Sequence, residues 1–322
     1  MLRRLILILA VLGLVAGTTA FWRLWLLPGP VPGPHLVTVK EGSTLASVAR
    51  QLEEQGAIPG TASSYRAMAR ILGSSDPIQA GEFEIPAGSS GAAVLDILQH
   101  GRPVVRLVTI PEGMPSILVQ EKLAAIPELT GPAPLPEEGS VLPDSYDWQK
   151  GEARAAVLKR MTDAMDRELA ALWANRKGNC PVYSEKDAVI LASIVEKETG
   201  KPSERRTVAG VYCNRLRSGM KLDADPTVIY PITKGKPLGR RIRRSELNAI
   251  TGYNTYREPG LPDGPIANPG RESIAAVLDP APTKALYFVA DGTGGHVFAD
   301  TLAEHNANVR RWYAIRRARG EM

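Results

Sequence analysis

The chain has 322 residues, of which 44% are hydrophobic and 23% are charged. This composition is typical of a globular protein and excludes wholesale disorder, and the length allows two or three domains with a sizeable core. The formal net charge of +5 suits nucleic acid, an anionic membrane or an acidic polymer as a partner, and charge alone does not choose among them.

A long uncharged segment lies near the amino terminus. Residues 5–22 are 18 apolar or small residues preceded by two arginines, a length that can just cross a bilayer with its amino end in the cytoplasm. The alternative is a cleaved secretory signal, for which Thr18 and Ala20 offer a weak cleavage site. We favour an uncleaved single-pass anchor over residues 1–27, because the run is long for a signal and Trp22 and Trp25 suit an interfacial belt. In both cases the rest of the chain is exported, which disfavours nucleic acid as a partner.

A small β-α-α-β unit is predicted after a stiff proline-rich linker at residues 28–35. The unit covers residues 36–102, and Ser43 or Thr44 would cap its first helix. The pattern V-x-x-G-x-T-L-x-x-V-A, residues 39–49, resembles a LysM-type module, a class that binds N-acetylated glycans. Any small α+β domain could produce the same pattern, so sugar binding by this module stays open.

The remaining chain is predicted to form a connecting unit and a larger domain. A strand and a helix occupy the first part of residues 103–150, and the segment 130–147, rich in proline, glycine and acidic residues, reads as a linker or crossing loop. Residues 151–322 are predicted to form an α+β domain that ends in a β-hairpin and a basic helix. The fold class is therefore α+β, with an amino-terminal transmembrane helix.

The stretch SEKDAVILASIVEKE, residues 184–198, predicts the helix around which the larger domain is built. Ser184 and Asp187 form a plausible capping box at its start. With about 100° per residue, apolar side chains cover one face. Glu198 falls in the middle of this face, and Glu196 falls near its edge.

A carboxyl group on the apolar face of a helix is costly unless it is protonated or well hydrogen-bonded. Burial raises the pKa of a carboxyl group, as a general acid working near neutral pH requires. The alternative is that the EKE run is simply a solvated helix end, which is common. The segment alone makes Glu198 a candidate without deciding its role.

Polar residues are dense after this helix. Asn214 lies near the end of a predicted helix at residues 208–216, and Asp225 precedes a proline and should be extended. In a loop rich in proline and glycine, Tyr253, Asn254 and Tyr256 are grouped. Aromatic rings stack on sugar faces and amides hydrogen-bond hydroxyl or acetamido groups. Alternatively, the tyrosines only attach the loop to the core.

The basic run KGKPLGRRIRR, residues 234–244, is interpreted as a surface loop that could face anionic lipid or the acidic peptides of a cell-wall polymer. His296 and His305 are isolated and are interpreted as structural. The chain has no HExxH motif, and its two cysteines, Cys180 and Cys213, are too few for a metal site. We predict neither metal nor cofactor, and the pairing of the cysteines stays open.

Five segments in order resemble the endolytic murein transglycosylases (the MltG or YceG-like family) over about residues 36–319: IVEKET, VYCNRL, LDADPTVIY, YNTYREPGLPDGPIANPG and LYFVADGTGGHVFADTLAEHN. The resemblance implies an enzyme of the inner (plasma) membrane whose catalytic part lies outside the cytoplasm. It would cut peptidoglycan strands between N-acetylmuramic acid and N-acetylglucosamine without water, leave 1,6-anhydro ends and terminate nascent strands. It also implies peptidoglycan synthases as candidate partners.

The family's catalytic glutamate matches Glu198, the residue that helical phase selects independently. The candidate substrate-binding residues in the matching motifs are Glu196, Asn214, Asp225, Thr227, Tyr253, Asn254 and Tyr256. The segment EEGSVLPDSYDW, residues 137–148, departs from a more aromatic stretch in the family, which puts a substrate role for it in doubt. A muramidase that hydrolyses the same bond and a non-catalytic peptidoglycan-binding scaffold are the alternative functions.

Overall fold

The computed structural model describes residues 2–178 and 180–321. Helices account for 48% and strands for 9%, which confirms the mixed α and β class. The chain divides into two compact units, Met1–Arg106 and Leu107–Met322. Each is described by itself.

The first unit contains four helices and two strands among its described residues. These are α1 (Leu2–Phe21), β1 (His35–Val39), α2 (Leu45–Glu54), α3 (Ala62–Leu72), β2 (Gly81–Ile85) and α4 (Gly91–His100), with one π-helical turn, Trp22–Leu26, after α1. The segment Ile6–Leu26 is long and apolar enough to cross a membrane, with a mean hydropathy of 1.8.

The predicted β-α-α-β order is confirmed in this unit. Strands β1 and β2 pair antiparallel with Val37 opposite Phe83, and both side chains are buried beneath the helices. The hydroxyls of Thr44 and Thr61 accept hydrogen bonds from backbone N–H groups in the first turns of α2 and α3, because the first turn of a helix lacks internal partners. A LysM identity for this unit stays a prediction.

The prediction for Trp25 is wrong. Trp22 is exposed, but Trp25 is buried in the core of the first unit with its ring centroid 5.9 Å from that of Tyr65. An indole that buries its whole ring in a protein core is not available to a membrane interface. The predicted proline-rich linker is also attached to the first unit by a hydrogen bond, since the Gly88 N–H donates to the Val31 carbonyl at 2.9 Å.

The second unit contains the remaining described elements. Its strands are β3 (Arg106–Thr109, at the boundary), β4 (Ser145–Trp148), β5 (Tyr287–Ala290) and β6 (His296–Ala299). Its helices are α5 (Ser116–Ala124), α6 (Arg154–Ala174), α7 (Glu185–Glu198), α8 (Arg205–Arg217), α9 (Asp225–Thr233), α10 (Arg244–Asn248), α11 (Arg271–Leu278) and α12 (Leu302–Ala318). β3 pairs with β4, and β5 pairs antiparallel with β6 as the hairpin pattern predicts.

Helix α7 is the centre of the second unit. The eight residues from Ala188 to Val195 are all buried, because α7 packs against α8, α11 and α6. The one polar residue in this run, Ser193, donates its hydroxyl to the Ile190 carbonyl and accepts from the Ile266 N–H at 3.0 Å. A buried hydroxyl with both functions satisfied costs little, and this one attaches the proline-rich loop to α7.

A disulfide and the segment 130–147 both belong to the packed structure of this unit. Cys180 and Cys213 form a disulfide, which ties the segment before α7 to α8. The predicted crossing loop 130–147 contains part of β4, so it belongs to the packed unit rather than to a free linker.

The extended conformation predicted for Asp225 is wrong, because α9 begins at this residue. Pro226 lies in the first turn of α9, where the missing N–H would have no helical partner in any case. The helix can therefore start one residue before its proline, against the usual bias.

Candidate active site

Glu198 is the last residue of α7 and lies, partly buried, in a cleft of about 810 Å³. We call this the Glu198 cleft. It is lined by residues from the ends of α7 and α8, from the start of α9, and from the hairpin and α12. The polar and aromatic lining side chains include Lys197, Glu198, Tyr212, Arg215, Asp223, Asp225, Tyr256, Tyr287, His305, Trp312 and Tyr313.

The pKa of Glu198 is raised from 4.5 to about 7. Burial is the largest cause, since the low-dielectric surroundings disfavour the ionised form, and the negative charge of Asp225 adds to it. A hydrogen bond from Tyr212 and the positive charge of Arg215 oppose the rise. Because the effect of burial on the pKa is larger than these opposing effects, a large fraction of the Glu198 carboxyl is protonated near neutral pH. This fits a proton donor.

Helix α8 places a hydrogen-bond donor, Tyr212, and a positive charge, Arg215, near the Glu198 carboxyl. The Tyr212 hydroxyl is hydrogen-bonded to Glu198, and burial raises the pKa of Tyr212 well above 10, so it stays a neutral donor. The Arg215 guanidinium donates to the Leu286 carbonyl at 2.7 Å and to the Leu222 carbonyl at 2.8 Å. These bonds fix a cation at the base of the cleft.

Asp225 and Tyr256 form a second pair in the lining of the cleft. The Tyr256 hydroxyl donates to Asp225 Oδ1 at 2.7 Å, and burial together with Asp225 raises the pKa of Tyr256. Asp225 is exposed to the cleft and takes part in raising the pKa of Glu198. Two carboxyl groups in one cleft are a recurring arrangement in sites that act on glycosidic bonds.

Aromatic side chains form the outer wall of the cleft. Tyr287 comes from β5, and Trp312 and Tyr313 come from α12. The His305 ring stacks on Tyr287 with a centroid distance of 5.2 Å and an interplanar angle of 25°. Flat rings with polar edges suit the apolar face of a sugar ring.

Glu196, two residues before Glu198, does not line this cleft. Its side chain is only 6% exposed, and its carboxylate accepts from the Gly270 N–H at 2.9 Å and from Arg205 at 3.4 Å. Glu196 therefore attaches the start of α11 and the amino end of α8 to α7.

Three other predicted site residues support the loops around the cleft. The Asn254 amide donates to three carbonyls at the end of α10, the nearest being Ala249 at 2.7 Å. The Thr227 hydroxyl donates to Ala224 and contacts the Thr255 hydroxyl at 2.9 Å. Asn214 donates to the carbonyls of Thr283 and Ala285 at 2.9 and 3.1 Å.

Tyr253 lies with its ring centroid 5.0 Å from that of Tyr230 and packs against the core of the second unit. The structure thus brings Glu198, Asp225 and Tyr256 together in one cleft. It places Glu196, Asn214, Thr227, Tyr253 and Asn254 in the surrounding scaffold.

Sequence reasoning did not select Tyr212, Arg215 or the aromatic residues of α12 for this site. Tyr212 and Arg215 are three residues apart on α8, so they share a face, and this spacing in VYCNRL was a usable signal. The contribution of α12 had no local signal, because it depends on how the terminal helix packs on the hairpin. Among residues 2–178 and 180–321, no group of three or more His, Cys, Asp or Glu side chains could hold a metal ion.

Comparison with known proteins gives the same family that the sequence motifs resemble. Residues 37–311 match the model of the YceG-like family. An endolytic murein transglycosylase of Bacillus subtilis (strain 168) is 35% identical over 172 residues, 53% of this chain and 46% of that protein. One from Streptococcus pneumoniae (strain D39) is 27% identical over 336 aligned positions, 88% of this chain and 60% of that protein.

A crystal structure of a YceG-like protein from Listeria monocytogenes is also similar. It superposes with a TM-score of 0.54 at 25% identity and covers 85% of this chain and 98% of that chain. The chain spans 46–60% of the length of the curated relatives it matches.

Proposed function

Because the chain belongs to the YceG-like family, we propose that it is an endolytic lytic transglycosylase of peptidoglycan. It cleaves the β-1,4 bond between N-acetylmuramic acid and N-acetylglucosamine within a strand and leaves a 1,6-anhydro-muramic acid end. The observation that carries the proposal is the Glu198 carboxyl, which lies in a cleft walled by aromatic rings with its pKa raised to about 7.

The reaction needs one proton donor that later becomes a proton acceptor. Glu198 protonates the oxygen that joins the two sugars, and the bond from the muramic acid C1 to this oxygen breaks. Positive charge develops at C1, where the acetamido oxygen of the same sugar can stabilise it. The C6 hydroxyl then bonds to C1 and gives its proton to the Glu198 carboxylate. Atoms balance without water, and Glu198 ends as it began.

The neighbours of Glu198 fit the two halves of this cycle. Burial and Asp225 favour the protonated carboxyl that starts the reaction. Tyr212 and Arg215 stabilise the carboxylate that exists after the first proton transfer, since both lower the pKa of Glu198. We assign to Asp225 and Tyr256 the orientation of the acetamido group and the C6 hydroxyl. Such preorganised charge contributes more than the proton transfer itself, which supplies roughly 10²–10⁴-fold.

The other predicted site residues have a structural role in this proposal. Glu196, Asn214, Thr227, Tyr253 and Asn254 hold the backbone of the cleft walls, and a direct contact of any of them with substrate is not required. No step involves a metal or a cofactor.

The same proposal assigns roles to the segments that precede the catalytic part. Residues 1–27 anchor the chain in the inner (plasma) membrane, with Ile6–Leu26 as the candidate span, and the second unit lies on the extracytoplasmic side. Residues 36–102 are a LysM-like module that binds the glycan strand. Residues 103–150 connect this module to the catalytic part, residues 151–322. The enzyme terminates nascent strands beside peptidoglycan synthases.

Product analysis tests the proposal. Purified glycan strands are incubated with the wild type or with Glu198→Gln, and the fragments are identified by mass spectrometry. We expect internal cuts with 1,6-anhydro ends from the wild type and none from the variant, with both proteins folded by circular dichroism. Reducing muramic acid ends would instead show a muramidase. Strand binding without fragments from the wild type would show a scaffold.

A further inference from the structure

A second cleft of about 500 Å³ adjoins the Glu198 cleft in the second unit. We call it the proline cleft. Its walls come from the turn after β3, from α5, from α9 and from the basic loop after α9, and include Met114, Pro115, Leu118, Ile229, Pro237 and Leu238. Lys197 and Pro226 line both clefts, so the two clefts adjoin at the residue next to Glu198.

The chemistry of the two clefts differs. The described residues that line the proline cleft include no aromatic side chain, whereas the Glu198 cleft carries Tyr256, Tyr287 and Trp312. Sugar sites depend on ring stacking and on planar hydrogen-bonding groups. A wall of proline and branched aliphatic side chains instead suits small apolar groups such as the methyls of alanine.

Lys197 gives the junction of the two clefts a positive charge. Lys197 is an exposed residue, and its ammonium lies 3.4 Å from the Gly113 carbonyl with no carboxylate within ion-pair distance among residues 2–178 and 180–321. The other charged side chains that line the proline cleft have ion-pair partners, since Lys236 is bonded to Glu121 at 2.6 Å and Glu112 shares Arg205 with Glu196. Among the described residues that line the proline cleft, Lys197 is therefore the cation with which an anionic ligand can pair.

From the adjacency of the two clefts and the charge of Lys197 we infer that the proline cleft binds the stem peptide of the muramic acid whose bond is cut. The inference rests on the proposed function. In peptidoglycan the lactyl group of muramic acid carries a short peptide rich in alanine and carboxylates. With the sugar against Glu198, this peptide leaves the Glu198 cleft past Lys197. One peptide carboxylate pairs with Lys197, and the alanine methyls lie on Leu118, Ile229 and Leu238.

A comparison of two substrates tests this assignment. One is uncrosslinked strands that carry their peptides, and the other is the same strands after an amidase has removed the peptides. We expect kcat/KM of the wild type to be on the order of tenfold higher on stem-bearing strands, the combined effect of one exposed ion pair and one or two buried methyls. The substrate is prepared as a single length, so that strand length does not contribute.

Two variants locate the effect, each with a matched control. Lys197→Met should lower kcat/KM on stem-bearing strands about two- to fivefold, and Leu238→Trp, which fills the cleft, should abolish the preference. Both should leave the rate on stripped strands within about twofold of the wild type. Lys186→Met, on the exposed amino end of α7, and Ile232→Trp, an exposed site on α9 outside the cleft, should retain the preference.

The outcomes separate this inference from the proposed function. Equal cutting of both substrates by the wild type overturns the peptide assignment and leaves the transglycosylase intact. If Leu238→Trp slows stripped strands as much as stem-bearing ones, the cleft holds glycan and the inference is wrong. If neither substrate is cut, the proposed function fails, and titration of the full chain with the free pentapeptide decides the cleft: binding weakened by Lys197→Met supports it, and no binding overturns it.

Discussion

Glu196 and Glu198 are two residues apart on α7, and their surroundings differ completely. Glu196 is held by the Gly270 N–H and by Arg205, groups that stabilise an ionised carboxylate. Glu198 has one neutral donor, Tyr212, and faces the negative charge of Asp225. Burial alone does not distinguish these residues, because both are largely enclosed. The partners decide that one carboxylate is a structural anchor and the other is a proton donor.

The largest effect is expected when Glu198 is replaced. Glu198→Gln keeps the size of the side chain and its bond to Tyr212 but cannot give up a proton. Cleavage should fall by at least about 10²–10⁴-fold, measured as the rate of appearance of new strand ends. Glu196→Gln, as the matched variant, should retain most of the rate. Loss of activity of equal size in both variants would contradict the division of roles.

The same pair of variants should have opposite effects on stability. In the unfolded chain Glu198 titrates near 4.5, and in the folded protein near 7. Between these values the folded state binds a proton that the unfolded state has released, so stability falls as pH rises from 4.5 through 7. At pH 8 the ionised carboxyl costs on the order of 3 kcal/mol, and Glu198→Gln should recover it.

Urea unfolding of wild type and Glu198→Gln at pH 5 and pH 8 measures this effect. The difference in the free energy of unfolding should be small at pH 5 and favour the variant at pH 8. A difference that does not change with pH would show that Glu198 titrates normally in the folded protein.

Glu196→Gln should instead destabilise the second unit by about 1–3 kcal/mol, because it weakens charge-assisted bonds to Gly270 and Arg205. The measurement is the midpoint of urea unfolding at pH 8. Glu185→Gln, at the exposed amino end of the same helix, is the control and should change stability little. Stabilisation by Glu196→Gln would mean that its buried carboxylate is poorly compensated.

The smallest effects concern the pH profile. Asp225 raises the pKa of Glu198, so Asp225→Asn should move the alkaline limb of the pH–rate curve to lower pH. Tyr212 lowers it, so Tyr212→Phe should move the same limb to higher pH. Shifts in the same direction for both variants would contradict the assigned electrostatics. The variants should also lower the maximal rate, since each removes a group that positions reacting atoms.

Much of the second unit followed from local patterns. The helix at residues 184–198, its start at Ser184 and the closing hairpin and helix are confirmed, because each depends on periodicity, capping and turn residues near in sequence. The helical phase of Glu198 was also informative, since α7 is buried along most of its length. These features need no knowledge of the tertiary fold.

The rest depends on contacts between distant segments. Sequence could not show that Asn254 holds the end of α10 or that Glu196 binds Gly270, because an amide or carboxylate near a site looks the same in either role. Strand β4 is four residues long and lies in a segment rich in turn formers. Local propensity therefore does not predict that it pairs with β3. Trp25 looked interfacial for the same reason: its core partner Tyr65 is 40 residues away.

The central claim is that Glu198 is protonated near neutral pH in a folded cleft. It is tested by following the side-chain carboxyl carbons of a protein labelled with ¹³C-glutamate as pH is varied, with Glu198→Gln used to assign the signal. The account predicts one resonance with a midpoint near 7, absent from the variant. A Glu198 resonance that titrates near 4.5 would contradict it.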